Sequence, residues 1–571
     1  MNFDIAGYNG PNLGNLVNGP DFTYQGSVSL NKTVGRHQMV FGFDYTRLRI
    51  FHDSVFATVN YDNVPTSDPQ NIAATGNGVA SFLLGLPSNA NTIAGQADLD
   101  IRQVLYHGYF QDDFRVTPKL TLNLGLRYEY NEWPHHIRGR MGGFDMTTGQ
   151  FYWTSTNPIT GQPANARPTI AAPDLNNWAP RIGFAYRLRP QTVVRGAYGI
   201  FYNSNLGWEW STGRGNWPYS VSQNLQALNI AGSTPIRSDQ LFRSFEPSTI
   251  PAQAQHTISR DLKMPYMQNW NFGIEQQLAR DLVLELNYQG AKGTNLSSFL
   301  STNDPPPGPG DPDPRRPFPV AGSLSELKTV ANSHYHGLTA KLEKRYAQGL
   351  SVIASYAYQK SIDLNSEFGG TSPQDSRNAR LDMAPSGFDQ THVFNGSFIW
   401  EIPLGRNMRG VAKQLINGWQ TTGIITLETG RPFNINIPFD NANVGSRGDF
   451  QRPNLVGDPF PSGFTKGYGP GSLYFNPNAF AVPPQYTFGN LGRNVLRGPE
   501  FHNVDFGLFK NFPLWSESMR LQFRAEAFNL LNNTNFDNPG GSITNANFGR
   551  ITGVPSGVFQ RSLQFGLKLI Y

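Results

Sequence analysis

The last ten residues of the chain alternate. Leu563, Phe565, Leu567, Leu569 and Tyr571 fall on one side of an extended strand and Ser562, Gln564, Gly566 and Lys568 on the other, with only Ile570 breaking the polar side. Chain ends in water fray, so a large apolar residue at the very last position points to a strand whose outer face meets lipid. Residues 119–130 repeat the pattern: Leu120, Leu122, Leu124, Leu126, Tyr128 and Tyr130 oppose Thr121, Asn123, Gly125, Arg127 and Glu129. A helix would scatter these leucines round its axis. Further along, Ile182, Phe184, Tyr186 and Leu188 oppose Gly183, Ala185 and Arg187, and Leu282, Leu284, Leu286 and Tyr288 oppose Glu285 and Asn287. Leu521, Phe523, Ala525 and Ala527 likewise oppose Arg520, Gln522, Arg524 and Glu526. Charges of both signs on the polar side suit a wet lumen.

The connections carry as much information as the strands. Short turns are predicted at 33–36, 116–118, 189–190, 279–281 and 347–349, with longer ones near 403–415 and 512–518. Between them lie long segments rich in Asn, Gly, Pro, Ser and Trp, near 52–101, 131–178, 203–265, 290–333, 361–389, 430–500 and 531–559. Irregular segments of that length are rare in compact soluble domains. Short turns at one rim and long loops at the other define an all-β fold, an antiparallel transmembrane β-barrel of the outer membrane with short periplasmic turns and long extracellular loops. About fifteen strands are predicted, near 22–32, 37–51, 102–115, 119–130, 180–189, 191–202, 266–278, 282–290, 334–346, 350–360, 391–402, 417–429, 501–511, 519–530 and 561–571. Single-chain bacterial barrels have an even number of strands with both termini on the periplasmic side. An odd count therefore predicts an incomplete barrel: residues 1–21 are expected to be the remnant of an extracellular loop and residues 22–571 part of the wall, with earlier strands absent.

Composition narrows the class. Charged residues are 15% of the 571, below the roughly 25% of an average soluble domain, and aromatics make up much of the difference. No stretch approaches the roughly 18 unbroken apolar residues of a membrane-spanning helix, which excludes a helical membrane protein. The chain has no cysteine, hence neither disulfides nor thiolate metal sites. Its net charge of +5 is dispersed rather than gathered into a stripe, so no nucleic-acid partner is expected. The opening MNFDIAGYNG lacks a basic region followed by an apolar one, so either the protein is cytoplasmic or its front end is missing.

Seven phrases in order carry a family resemblance: TGNGVASFLLGLP (75–87), YFQDDFRVTPKLTLNLGLRYEY (109–130), PRIGFAYRLRPQTVVRGAYGIFY (180–202), QNWNFGIEQQLARDLVLELNYQGAKGTNL (268–296), GLTAKLEKRYAQGLSVIASYAYQKSID (337–363), NGWQTTGIITLETGRPF (417–433) and LQFRAEAFNLLNNTNF (521–536). The chain resembles the C-terminal barrel of the TonB-dependent receptors, in particular the Oar-like group. The resemblance implies a 22-stranded wall, so that fifteen strands would leave an odd number missing. It also implies a plug and a TonB box, neither of which has a counterpart here. The function it implies is uptake or handling of a large, scarce ligand across the outer membrane. Its implied partners are outer-membrane lipid, the barrel assembly machinery acting through the C-terminal strand, and the TonB complex through the missing N-terminal part. The alternative is a non-transporting surface adhesin or a secretion-linked barrel.

No residue set predicts catalysis, a cofactor or a resident metal. His135 and His136 are adjacent and point to opposite sides of a strand; His334 and His336 share a face but mark a strand start at the rim. Asp304, Asp311 and Asp313 sit in a proline-rich stretch without the order of a calcium loop. Arg447 to Asp449 spells RGD by chance. No phosphate loop or nucleophile elbow is present, and an enzyme is not expected. The inward charges Arg127, Glu129, Arg187, Glu285, Lys341, Glu343, Arg524 and Glu526 are read either as docking partners of a plug or as solvation of a polar lumen. Trp208, Trp210 and Trp217 are expected in an interfacial belt at the external rim, with stacking on a ligand as the alternative.

Overall fold

The computed structural model describes residues 2–6, 20–52, 57–68, 75–95, 98–204, 207–210, 213, 216–226, 237–240, 256–366, 373–445, 451–469, 471–515 and 519–571. Fifteen long strands dominate it. The first five are β1 (Asp21–Val34), β2 (His37–His52), β3 (Leu99–Thr117), β4 (Leu120–Asn131) and β5 (Trp178–Arg189). Next come β6 (Thr192–Tyr202), β7 (Tyr266–Ala279), β8 (Leu282–Leu300), β9 (Ser325–Ala347) and β10 (Leu350–Asp363). The last are β11 (His392–Glu401), β12 (Trp419–Glu428), β13 (Phe501–Pro513), β14 (Arg520–Phe528) and β15 (Ser562–Ile570). Each overlaps a strand that the alternation placed. Each pairs antiparallel with the next, and with three strands of two or three residues they make one 18-stranded sheet.

Hairpin chemistry sets the register at the short-turn rim. Gln348 and Gly349 have φ of 54° and 82° and close the turn that puts Ala347 opposite Leu350. Positive φ at both central positions gives a two-residue turn whose twist matches its strands. Two strands differ from the sequence reading: β8 runs on to Leu300 and β9 begins at Ser325, paired beyond a register shift at Gly293 to Ser297. Alternation of apolar residues reports lipid on one face, whereas pairing needs only backbone partners. A hairpin that rises above the membrane keeps its ladder and loses its pattern.

Pairing transmits one apolar face across the whole sheet. One row runs Phe184, Gly196, Phe272, Tyr288, Leu338, Tyr358 and His392 from β5 to β11. Another runs Val352, Phe398, Gly423, Phe506, Ala527 and Leu563 from β10 to β15. These side chains are not packed away: Leu563, Phe565 and Leu567 are 60%, 69% and 71% accessible. An apolar surface of this extent is far beyond what water tolerates and matches a hydrocarbon slab. Aromatic rings with polar tips mark its limits. Toward the long-loop rim Tyr288 and Tyr356 hydrogen-bond His336 and His392, both at 2.7 Å, while Trp400 and Trp419 stand at the short-turn rim.

The sheet is open. Among the described residues β1 pairs only with β2 and β15 only with β14. Fifteen strands with every neighbour antiparallel leave the two edges running in the same direction.

Among the described residues the long connections are folded. Those of the first half enclose an apolar core that includes Leu99, Trp133, Met141, Tyr152, Trp210 and Ile258. Those between β12 and β15 enclose a second, with Phe433, Ile435, Tyr474, Phe475, Phe480 and Phe548. Residues Asn2–Ile5 pair parallel with Ala57–Tyr61, which joins Asn89–Gly95 and Ser220–Gln226 in a separate four-stranded sheet. The tryptophan expectation needs correction. Trp210 is fully buried and stacks on Trp133 with ring centres 5.4 Å apart, and Trp217 packs edge-on against Phe151 and Trp153. Trp210 is thus a core residue of a cap, neither in a belt nor on a ligand platform; Trp217 is half-buried against its ring neighbours, and the side chain of Trp208 is not among those described. Three arginines hold the second cap to the β10–β11 connection. Arg452 makes a two-pronged bond to Asp382 at 2.7 and 2.9 Å, Arg493 pairs with Asp363, and Arg497 pairs with Asp389.

Candidate functional site

The face opposite the lipid band is polar, and its best-formed feature lies on β2 to β7. Alternation in FGFDYT and YHGYF turns Asp44 and His107 inward, beside Arg127 and Glu129 of β4. Arg127 is the hub: its guanidinium donates to Asp44 at 2.9 Å, to Glu129 at 3.0 Å and to His107 Nδ1 at 2.6 Å. His107 therefore carries its proton on Nε2, which donates to Asn131 at 2.9 Å. With two carboxylates on one cation and a neutral imidazole beyond it, the cluster is satisfied internally. Arg127 and Glu129 were legible in the sequence; Asp44 and His107 were not singled out, although their places opposite Phe43 and Gly108 carry the same period-two signal.

Beside this cluster the inner wall has a cavity of about 550 Å³, lined by Tyr109, Arg127, Arg181, Phe201, Asn269 and Asn271. Its floor is low because Gly125 and Gly183 carry no side chains there. A Cβ at either would meet its nearest neighbour at 3.6 Å, an ordinary contact, so glycine keeps the hollow open rather than relieving a clash. Arg181 lies over the Phe201 ring at 4.4 Å and is in no ion pair among the described residues. A cation on an aromatic face, in a cavity also lined by two side-chain amides, can hold polar or anionic groups.

The other inward charges form separate groups. Lys341 bridges Glu343 at 2.9 Å and Glu285 at 4.0 Å. Arg524 turns to Gln522 at 2.8 Å and to the Phe509 ring. Arg187 is exposed near the short-turn rim. Glu526 pairs across the strand with Gln564.

The loop candidates do not assemble a centre. His136 is buried, its Nε2 lies 3.1 Å from the Asp98 carbonyl and its Nδ1 accepts from the Arg138 amide, and burial lowers its pKa. His135 faces Glu132 instead. His334 and His336 stand on the outer rim, and His336 is taken by Tyr288. Asp304 is half-buried against the buried Arg316, while Asp311 accepts from the Asp313 amide in a local turn. Burial pushes the Asp304 carboxyl up to about 7 despite Arg316, with the charge of Asp440 adding to the effect. No three metal-ligating side chains come together among the described residues. Arg447 to Asp449 lies outside the described residues.

A continuous antiparallel sheet with lipid on one face, a polar wall on the other and folded caps at one rim is the wall of a transmembrane β-barrel. The sequence matches the family described as outer membrane beta barrel domain over residues 1–564, and the chain belongs to that family. The protein accordingly resides in the bacterial outer membrane. Among solved structures it is similar to the outer membrane transporter YddB from Escherichia coli, at 11% identity and TM-score 0.48, covering 96% of this chain and 53% of that one. It is similar also to the siderophore receptor PirA from Acinetobacter baumannii, at 11% identity and TM-score 0.44, covering 96% and 54%. A third is the ferric yersiniabactin uptake receptor FyuA from Yersinia pestis, at 10% and 0.39, covering 90% and 49%. The chain thus spans about half the length of these proteins. No curated protein sequence matches it.

Proposed function

We propose that the chain forms the greater part of the wall of a TonB-dependent type of outer-membrane receptor, which takes up or handles a large and scarce ligand. The observation that carries this is the inner wall: charges tied to partners in local groups beside a glycine-floored cavity, beneath loops folded into caps at one rim. A wall that only had to be wet would not need its cations tied to partners 2.6–3.0 Å away. Such a surface is suited to pack against a second, polar body inside the lumen, and residues 22–571 would then be the wall and a plug supplied with it the gate. The chemistry is binding and passage, with no bond made or broken by these side chains.

The test is genetic and energetic. Deleting the gene should abolish uptake of a large nutrient when a panel of metal chelates and oligosaccharides is offered at limiting concentration. Collapsing the proton-motive force should abolish it in the parent strain as well. Unchanged uptake across the panel, with loss of adhesion to cells or polymers, would replace this reading with that of a surface adhesin.

A further inference from the structure

Five hairpins at the short-turn rim reverse in two residues, among them those at Gly35–Arg36 and Gln348–Gly349. The connection from β11 to β12 takes residues 402–418 and contains the helix Gly410–Ile416. Its sequence, IPLGRNMRGVAKQLING, has three cations and no carboxylate. Arg406, Arg409 and Lys413 are exposed and in no ion pair among the described residues. On the helix Val411 and Leu415 stand one turn apart and are 71% and 61% accessible; ahead of it Leu404 and Met408 are 62% and 43% accessible. On the neighbouring β13–β14 hairpin Trp515 is 82% accessible. A strand reversal needs none of this.

The helix is tied to the lipid band by its C-terminal end. Trp419 Nε1 donates to the Leu415 carbonyl at 3.0 Å, and the Lys510 amine donates to the Asn417 carbonyl. Lys510 and Trp419 pair across β13 and β12 on the apolar face, and the Lys510 amine lies over the Trp419 and Phe512 rings at 5.5 and 5.3 Å. These two donors partner the carbonyl of Leu415 in the last turn and that of Asn417 just beyond it. They also hold the end of the helix against the band that meets hydrocarbon.

We infer that residues 404–415 form an interfacial anchor that lies in the leaflet at the short-turn rim, with Leu404, Met408, Val411 and Leu415 among the acyl chains and Arg406, Arg409 and Lys413 on anionic phospholipid phosphates. The partner is a phospholipid surface: exposed apolar side chains next to a lipid-facing wall, and beside them unpaired cations without a carboxylate, complement that surface in both polarity and charge. The inference rests on the outward orientation of the band.

The chain has no cysteine, so single substitutions carry a nitroxide label at one site each. Val411→Cys, Lys413→Cys and Leu567→Cys are inserted into vesicles of phosphatidylethanolamine with phosphatidylglycerol, and collision rates with oxygen and with a water-soluble nickel chelate are compared. The label at 567 reports the band itself and should be immersed. The label at 411 should also be immersed and that at 413 should sit at the headgroups. Replacing Arg406, Arg409 and Lys413 by Gln should reduce the immersion at 411 severalfold, and so should replacing phosphatidylglycerol by phosphatidylcholine. Immersion at 567 with equal water exposure at 411 and 413 would overturn the anchor and leave these apolar residues to a protein partner. Water exposure at 567 would overturn the orientation of the band and the anchor with it.

Discussion

Leu567→Arg measures the membrane orientation of the sheet most directly. In the structure Leu567 pairs with Phe523, and Phe523 with Lys510, on the face that carries Leu563, Phe565 and Leu569. It lies four residues before Tyr571, which is 91% accessible and stands at the rim. At about 3.4 Å per residue and a strand tilt near 40°, four residues descend about 10 Å into an apolar band about 25 Å tall. That depth is a few ångströms short of the midplane, where an arginine on the lipid face costs about 2–4 kcal/mol. The lower part of that range applies, because the guanidinium can reach back toward the rim as the Lys510 amine does toward Asn417. A cost of about 2 kcal/mol is a loss of roughly thirtyfold in the insertion equilibrium. Lys568 pairs with Gln522 on the opposite face, and Lys568→Gln should change little. The assay is the membrane-inserted fraction after refolding into vesicles, read from heat-modifiable migration and protease protection. A sensitive Lys568 with a tolerant Leu567 would invert the faces and refute the argument. If the terminal aromatic presents the strand to an assembly machinery, deletion of Tyr571 should slow insertion in cells more than it lowers the final yield.

Arg452→Ala should loosen the second cap, because it leaves Asp382 buried without its two-pronged partner, at a cost of about 3–5 kcal/mol; limited proteolysis of residues 373–500 in the inserted protein reads it. Trp210→Ala should open the first cap by about 3–5 kcal/mol through the void left beside Trp133, read by the same assay on residues 131–264. The Asp304 carboxyl, pushed up to about 7, gives the contact between the β8–β9 and β12–β13 connections a pH dependence. A folded-state pKa raised above the unfolded value means the contribution is full below about pH 4 and is lost as pH rises through 7. Protease protection there should fall from pH 5 to pH 8 in the parent and stay level in Asp304→Asn. Because β1 and β15 expose ladder groups along two edges that run the same way, the 571-residue chain refolded alone should form heterogeneous oligomers on sizing in detergent; a monodisperse monomer would show that the edges meet in a parallel seam.

The strands were legible because lipid imposes a period of two that little else overrides. KLTLNLGLRYEY and SLQFGLKLIY can be read only one way, and the structure pairs them so that every leucine shares a face. The upper parts of β8 and β9 were not legible for the complementary reason: above the bilayer nothing sorts residues by face, so GTNLSSFL pairs as strand without alternating. The caps were hidden for a different cause. Their cores draw single residues from distant segments, as where Trp210 meets Trp133 and Ile258, and no local period announces such contacts. Composition suggested loops, and tryptophans in loops near a membrane suggested a belt, but a ring in an interface must keep its tip wet, whereas Trp210 is fully buried.

The inner wall shows how far period-two reasoning reaches and where it stops. It identifies which side chains face inward, and Arg127, Glu129, Glu285, Lys341, Glu343, Arg524 and Glu526 all do. It cannot say which of them meet, since that depends on the stagger between strands. Asp44 reaches Arg127 across β3, and Arg524 turns to Gln522 rather than to the neighbouring Glu526. The difference matters for binding. Where carboxylates hold a cation in a local group, as Asp44 and Glu129 hold Arg127, the polar atoms of the wall are already partnered and can pack against another polar body at a smaller desolvation cost. Where a cation is left over, as at Arg181 above the Phe201 ring, the wall keeps a point of attraction for an anionic group.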